Sequence, residues 1–139
     1  MTSRLVSVFV LALAVVALAG CGGEEKDKEQ AAKACPPAPA AMTKAPTLPV
    51  GFPAPQGIVY TGETTKGPTT IVTGYLPVDI DAAYEDYKGA FVPPYSVTKS
   101  EQENVDAEVN FAGPSTTGQV KLLQGCKDRT TVTITVRPA

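Results

Sequence analysis

The 139-residue chain contains no histidine and no tryptophan, and cysteine occurs only three times. The absence of histidine removes the most frequent general base and the most frequent metal ligand of proteins. With so few cysteines, a zinc site would depend almost entirely on carboxylates, which is an unusual ligand set. We therefore expect no cofactor, no metal and no enzyme that depends on a histidine.

The chain also lacks a strong charge of either sign. Twelve Lys and Arg residues face fourteen Asp and Glu residues, which leaves a formal net charge of −2. A mildly acidic surface gives no electrostatic attraction for a phosphate backbone. The composition therefore excludes nucleic acid as the expected partner.

The longest apolar run lies at the very start of the chain. Arg4 supplies a positive charge, and residues 5–19 follow without any charge. This run is shorter than the roughly 17 to 25 residues that a membrane-spanning helix needs, and it is typical of a secretory signal peptide. It ends in Leu18-Ala19-Gly20-Cys21, which resembles the lipobox of bacterial lipoprotein precursors.

The resemblance implies that residues 1–20 are removed and that acyl chains are attached to Cys21. More than one acyl chain is needed, because a single chain gives only marginal membrane binding. The expected product is held on the cell membrane or the outer membrane, facing the extracytoplasmic space. Cleavage would remove one of the twelve basic residues, leaving eleven against fourteen acidic ones and a net charge of −3.

Residues 21–56 have the composition of a tether. Polar and charged residues follow Cys21, and seven prolines lie between Cys35 and Pro55. A segment this rich in proline and this poor in large apolar residues gains too little from burial to offset its ordering entropy. The sequence therefore predicts a flexible spacer over 21–56, followed by a small domain over 57–139.

The domain shows strand patterns and one helix pattern. Asp79 is a candidate N-cap, and apolar residues recur behind it at helical spacing until Pro93-Pro94. Runs rich in β-branched and aromatic residues predict the strands, which cover residues 58–63, 69–76, 95–102, 107–112, 119–124 and 130–137. We expect an α+β fold, an antiparallel sheet of about six strands in the order β-β-α-β-β-β-β, with one helix on one face.

The last strand alternates most clearly, with Thr131, Thr133 and Thr135 opposite an apolar row. A helix about 10 Å wide cannot cover six strands spaced by about 4.8 Å. Either the sheet curls around the helix or part of the sheet faces water or a partner. These three threonines are therefore the candidate interaction face.

Cys35 and Cys126 remain once Cys21 is assigned to lipid. Disulfides persist in extracytoplasmic compartments, so we expect these two cysteines to form one intramolecular bond.

We expect a non-enzymatic envelope module that binds an unknown protein, a glycan or a small apolar ligand. One alternative is a purely structural envelope protein. Another is a small hydrolase, since paired carboxylates can hydrolyse glycosides. The carboxylates available for it are Asp79, Asp81, Glu85, Asp86, Glu101, Glu103, Asp106 and Glu108.

Overall fold

From Val59 onward the chain folds into a six-stranded antiparallel sheet and one helix. The computed structural model describes residues 28–139. Residues 28–31 add a helical turn. The elements are β1 (Val59–Lys66), β2 (Thr69–Leu76), α1 (Ile80–Ala90), β3 (Ser96–Gln102), β4 (Asp106–Ala112), β5 (Thr116–Cys126) and β6 (Arg129–Pro138).

The chain crosses the sheet once, along the helix. β2 leads into α1, and α1 delivers the chain to the opposite edge of the sheet at β3. The remaining strands then return one by one until β6 pairs with β2, which gives the spatial order β1-β2-β6-β5-β4-β3. The predicted α+β fold and its element order are confirmed.

The helix begins and ends where its sequence signals lie. The Asp79 carboxylate accepts a hydrogen bond from the Ala82 amide at 2.9 Å, which satisfies one of the unpaired donors of the first turn. After Ala90 the chain leaves the helix, and Pro93 and Pro94 follow. The face turned to the sheet is apolar and buried, and it consists of Ile80, Ala83, Tyr84 and Tyr87.

The sheet buries the predicted side of its last strand. Val132, Ile134 and Val136 lie on the face that α1 covers, and each is at most 5% exposed. Because side chains alternate along a strand, the threonine row of β6 lies on the opposite face. The same alternation in the other strands completes the core with Val72, Leu76, Ala107, Val109, Phe111, Val120 and Leu122.

β5 is longer than the sequence predicted, since it begins at Thr116 instead of residue 119. Gly118 lies within this extension. A β-carbon at Gly118 would lie 2.0 Å from the Thr135 carbonyl oxygen and 2.6 Å from the Phe111 ring. The missing side chain therefore lets Phe111 pack directly over β5.

The helix contacts β3, β4, β5 and β6, and a second element completes the cover of the same face. That element is the proline-rich segment, defined here as residues 35–56. Leu48 and Phe52 pack against the buried core. The Phe52 ring lies 5.2 Å from Phe111 and 5.8 Å from both Phe91 and Tyr95, measured between ring centroids.

The proline-rich segment therefore differs from the flexible spacer that the sequence predicted. The Tyr95 hydroxyl donates to the Val50 carbonyl at 3.2 Å, and the Met42 amide donates to the Tyr60 carbonyl at 2.7 Å. Prolines have few backbone conformations to lose, so docking such a segment costs less entropy than docking an average one. A few apolar residues are then enough to hold it against the sheet.

Candidate ligand-binding cleft

The open face of the sheet, opposite α1, carries the predicted threonine triplet in its centre. Thr131 pairs with Tyr75 on one side, Thr133 with Thr73 and Thr135 with Ile71. Thr131 is exposed and the other two are half-buried. The structure thus brings the triplet together on one face, as the alternation predicted.

The open face is divided into a threonine-rich half and a half with ion pairs. β1, β2 and β6 contribute mainly threonines, with a few apolar residues and the cations Arg129 and Arg137, whereas β3, β4 and β5 contribute ion pairs. Lys99 Nζ lies 2.7 Å from Glu101 Oε2, and Lys121 Nζ lies 3.6 Å from Glu108 Oε1. Hydrogen bonding to Glu101 raises the pKa of Lys99.

The first part of the proline-rich segment lies at the threonine-rich half, and we call residues 35–42 the proline arch. Its start is joined to the end of β5 by the Cys35–Cys126 disulfide, with a Cα–Cα distance of 5.1 Å. Its other end is held on β1 by the amide of Met42, as described above. The disulfide expected from the sequence is therefore present in the structure.

A cleft of about 220 Å³ lies between the proline arch and the open face. Two proline rings, a tyrosine ring and one cysteine give it mostly apolar walls, and three threonine hydroxyls reach its surface. Thr131 belongs to this cleft, whereas Thr133 and Thr135 lie outside it. The lining residues are Pro36, Pro39, Thr61, Thr73, Gly74, Tyr75, Gly125, Cys126, Arg129 and Thr131.

Arg129 connects the arch to the sheet and was not singled out by the sequence. Its guanidinium donates to the carbonyls of Pro36 and Pro37, and its central carbon lies 5.7 Å from the centroid of the Tyr75 ring. It lies directly across from Cys126 in the β5–β6 register, and no pattern in the sequence marks it. Among residues 28–139, Arg129 has no carboxylate within ion-pair distance.

The hairpin beneath the cleft is fixed from inside by Gln124. Its amide nitrogen donates to the carbonyls of Cys126 at 2.5 Å and Lys127 at 3.1 Å. Its amide oxygen accepts from the backbone of Ile80 at 2.6 Å. Because buried amide groups need partners, these bonds hold the β5–β6 turn and the start of α1 in one arrangement.

The carboxylates proposed for a hydrolase are spread over the surface. Asp79 caps α1, Asp81 accepts from Gln102 Nε2 at 2.5 Å, and Glu85 pairs with Lys88 at 2.7 Å. Asp86 is exposed on the helix. A depression of about 70 Å³ at the β3–β4 hairpin brings together the others, Glu101, Glu103, Asp106 and Glu108.

Within residues 28–139, no three acidic or cysteine side chains form a group that could hold a metal ion. No helix in that part of the chain has the length and hydropathy to cross a membrane. Cys21 and the signal peptide lie outside the described residues, so their assignment rests on the sequence alone.

Models of known protein families, curated protein sequences and solved structures were compared with this chain, and none of the three comparisons found a match. The function is therefore argued from the residues themselves.

Proposed function

We propose that this protein is an exported lipoprotein, anchored by acyl chains on Cys21, that binds a ligand in the cleft beneath the proline arch. The anchoring part depends on the apolar run that ends in Leu18-Ala19-Gly20-Cys21. The binding part depends on one observation, the cleft itself. It is concave and mostly apolar, with a few polar groups that converge on it, which is the usual composition of a ligand site.

The cleft is assembled from parts of the chain that are distant in sequence. Pro36 and Pro39 come from the arch, Thr73 and Tyr75 from β2, and Thr131 from β6. A cross-link between residues 91 positions apart closes the arch over the sheet. Such a covalently held wall keeps the site formed in the absence of ligand, which favours affinity because less order is lost on binding.

The anchor keeps the cleft near the membrane. From Cys21 to Cys35 there are fourteen residue steps, and a fully extended chain covers at most ~3.6 Å per residue, or about 50 Å in total. If the whole of residues 21–56 were a free tether, the maximum distance between the anchor and the domain would be more than twice as long. The proposed ligand is therefore one that occurs at or close to the membrane surface.

The paired-carboxylate hydrolase receives no support from the contacts of its best candidates. Glu101 and Glu108 are cross-strand partners, but each lies beside a lysine. A glycosidase has to hold the scissile bond of its sugar substrate between the two carboxyls, whereas the depression that these residues line has a volume of only about 70 Å³. This alternative predicts a hydrolytic activity that Glu101→Gln or Glu108→Gln abolishes.

The anchor can be tested by replacing Cys21. The Cys21→Ser protein should keep its signal peptide and carry no acyl group, whereas the unchanged protein should begin at an acylated Cys21. Mass spectrometry of the protein from its own membranes measures both. A mature N-terminus at another residue, without fatty acid, would contradict the proposal.

The cleft can be tested with two threonines of the same strand and the same face. Thr131→Lys fills the cleft, and Thr135→Lys introduces the same charge outside it. A screen of small envelope components should find ligands that raise the melting temperature of the original protein and of Thr135→Lys, but not of Thr131→Lys. If every ligand acts equally on both variants, or none acts at all, the cleft is not a binding site.

The candidate interaction face of Thr131, Thr133 and Thr135 can be tested as a whole by changing all three threonines to lysine. Surface substitutions usually cost less than ~0.5 kcal/mol each, so the triple variant should still fold and should lose ligand binding. Circular dichroism checks the fold, and the same ligand screen measures the binding.

A further inference from the structure

The cleft has a positive charge and no negative one. Of its lining residues only Arg129 is charged, and none is a carboxylate. A cationic ligand would therefore meet a like charge with nothing to neutralise it. Charge complementarity favours a ligand that carries an anionic group.

Arg129 is held in place by neutral groups. Its two bonds to the arch go to the carbonyl oxygens of Pro36 and Pro37, which fix the guanidinium without compensating its charge. Arginine has five N–H donors in a planar fork, so three remain after these two bonds. A planar fork matches the two oxygens of a carboxylate.

The other walls of the cleft suit a small apolar body. Pro36, Pro39 and the ring of Tyr75 provide the apolar surface, and Thr131 offers a hydroxyl beside it. A volume of about 220 Å³ equals that of about seven molecules of liquid water, at roughly 30 Å³ each. It is thus suited to one small group and not to a long ligand.

We infer that the cleft binds a small carboxylate, whose carboxylate pairs with Arg129 while an apolar face of the same molecule packs between Pro36, Pro39 and Tyr75. This inference rests on the proposed function, because it identifies the ligand class of the same cleft. The carboxylate could belong to the C-terminal residue of a peptide or to an acidic sugar. Both sources present the same carboxylate group to Arg129, and the experiment distinguishes between them.

The test compares each acid with a neutral molecule of nearly the same shape. N-acetylalanine is compared with N-acetylalaninamide, and glucuronate with glucose, by calorimetry on the lipid-free protein. At least one acid should bind ten times more tightly than its neutral counterpart or better, the effect of about one charge-assisted hydrogen bond. Preference for N-acetylalanine identifies a peptide terminus, and preference for glucuronate identifies an acidic sugar.

The key variant is Arg129→Gln, which removes the charge and keeps an amide that can donate to the arch. Its ratio of acid affinity to neutral affinity should fall to about one. Because a ratio is measured, a general weakening of the site does not imitate this result. Arg137→Gln is the matched control, since Arg137 lies at the other end of the same strand and outside the cleft, and it should leave the ratio unchanged.

A second variant leaves the contacts between Arg129 and the arch in place. Thr131→Asp adds a carboxylate to the cleft, and it should weaken acid binding more than binding of the neutral molecule, so that the ratio of acid affinity to neutral affinity falls to one or below. The inference is overturned if neither acid binds at concentrations up to ~10 mM, if the neutral molecules bind equally well, or if Arg129→Gln keeps the preference. If Thr131→Lys still prevents the binding of other ligands in that case, the proposed function stands and only the ligand class is wrong.

Discussion

The helix α1 and the part of the proline-rich segment that follows the arch cover the same face of one sheet by different means. The helix satisfies its own backbone and buries four side chains at regular spacing. The segment has almost no regular structure, and it contributes Leu48 and Phe52 to the core at positions that follow no period. It is also fixed at its start by a disulfide. A low density of apolar residues is therefore insufficient evidence that a segment is mobile.

The largest effect should come from removing the proline-rich segment altogether. A chain that starts at Gly57 loses Phe52, Leu48 and the disulfide. Packing of the half-buried Phe52 ring is worth about 2 kcal/mol and a cross-link of this length up to ~4 kcal/mol. Since small domains are stable by only about 5 to 15 kcal/mol, we expect this chain to be largely unfolded by circular dichroism.

The matched control for this truncation is a chain that starts at Lys33, which keeps the arch and should unfold like the full-length protein. If the chain from Gly57 unfolds at the same urea concentration as that control, residues 35–56 are a tether after all.

Breaking only the cross-link should have the next largest effect. The Cys35→Ser, Cys126→Ser protein is expected to lose about 2 to 4 kcal/mol of unfolding free energy, because the unfolded chain is no longer constrained by a loop of this length. Urea unfolding under non-reducing conditions measures the loss. Recovery of both cysteines as free thiols in the unchanged protein would contradict the disulfide itself.

Removing only the aromatic contact of the segment should cost less. Phe52→Ala is expected to lower the unfolding free energy by about 2 kcal/mol, somewhat below the value for a fully buried phenylalanine because Phe52 is half-buried. Val50 is fully exposed in the same segment, so Val50→Ala should change stability by less than ~0.5 kcal/mol. Equal effects of the two substitutions would show that the segment does not pack as described.

The smallest change in stability at neutral pH is expected for a substitution at the place where α1 meets the edge of the sheet. The hydroxyls of Tyr60 and Tyr87 are buried and have no hydrogen-bond partner among residues 28–139. Burial raises the pKa of Tyr87, and its proximity to Tyr60 raises it further. The folded state therefore opposes ionisation, and stability that is complete below pH ~10 should fall above it by up to ~1.4 kcal/mol per pH unit.

Tyr87→Phe removes the ionisable group and should flatten that alkaline decline, with little loss at pH 7 because no hydrogen bond is broken. Urea midpoints at neutral and alkaline pH measure this. An unchanged slope in the variant would assign the decline to other groups.

Part of the fold was predictable from local patterns. The alternation of threonine and valine in β6 predicted which side of that strand is buried, and Asp79 predicted the start of the helix. The pairing of Cys35 with Cys126 followed from their number and from the compartment that the sequence predicts. Each of these features depends on neighbouring residues or on simple counting.

The cleft could not be predicted in the same way. Arg129 shows no pattern in sequence, and its role depends on two proline carbonyls more than ninety residues earlier. Phe52 belongs to no periodic apolar pattern in the sequence, because prolines surround it. In both cases the contact partner is remote, and no local period marks the residue.

The sequence by itself determined the helix, the strands, the two faces of the sheet and the residues able to form the disulfide, because backbone geometry imposes periods of 3.6 and 2 on any amphipathic element. The tertiary structure alone decided what completes the cover of the buried face. It also decided that the proline arch closes a cleft around a single arginine. Those outcomes depend on which remote surfaces remain uncovered once the sheet has formed, and burial of apolar area then selects the segment that can reach them.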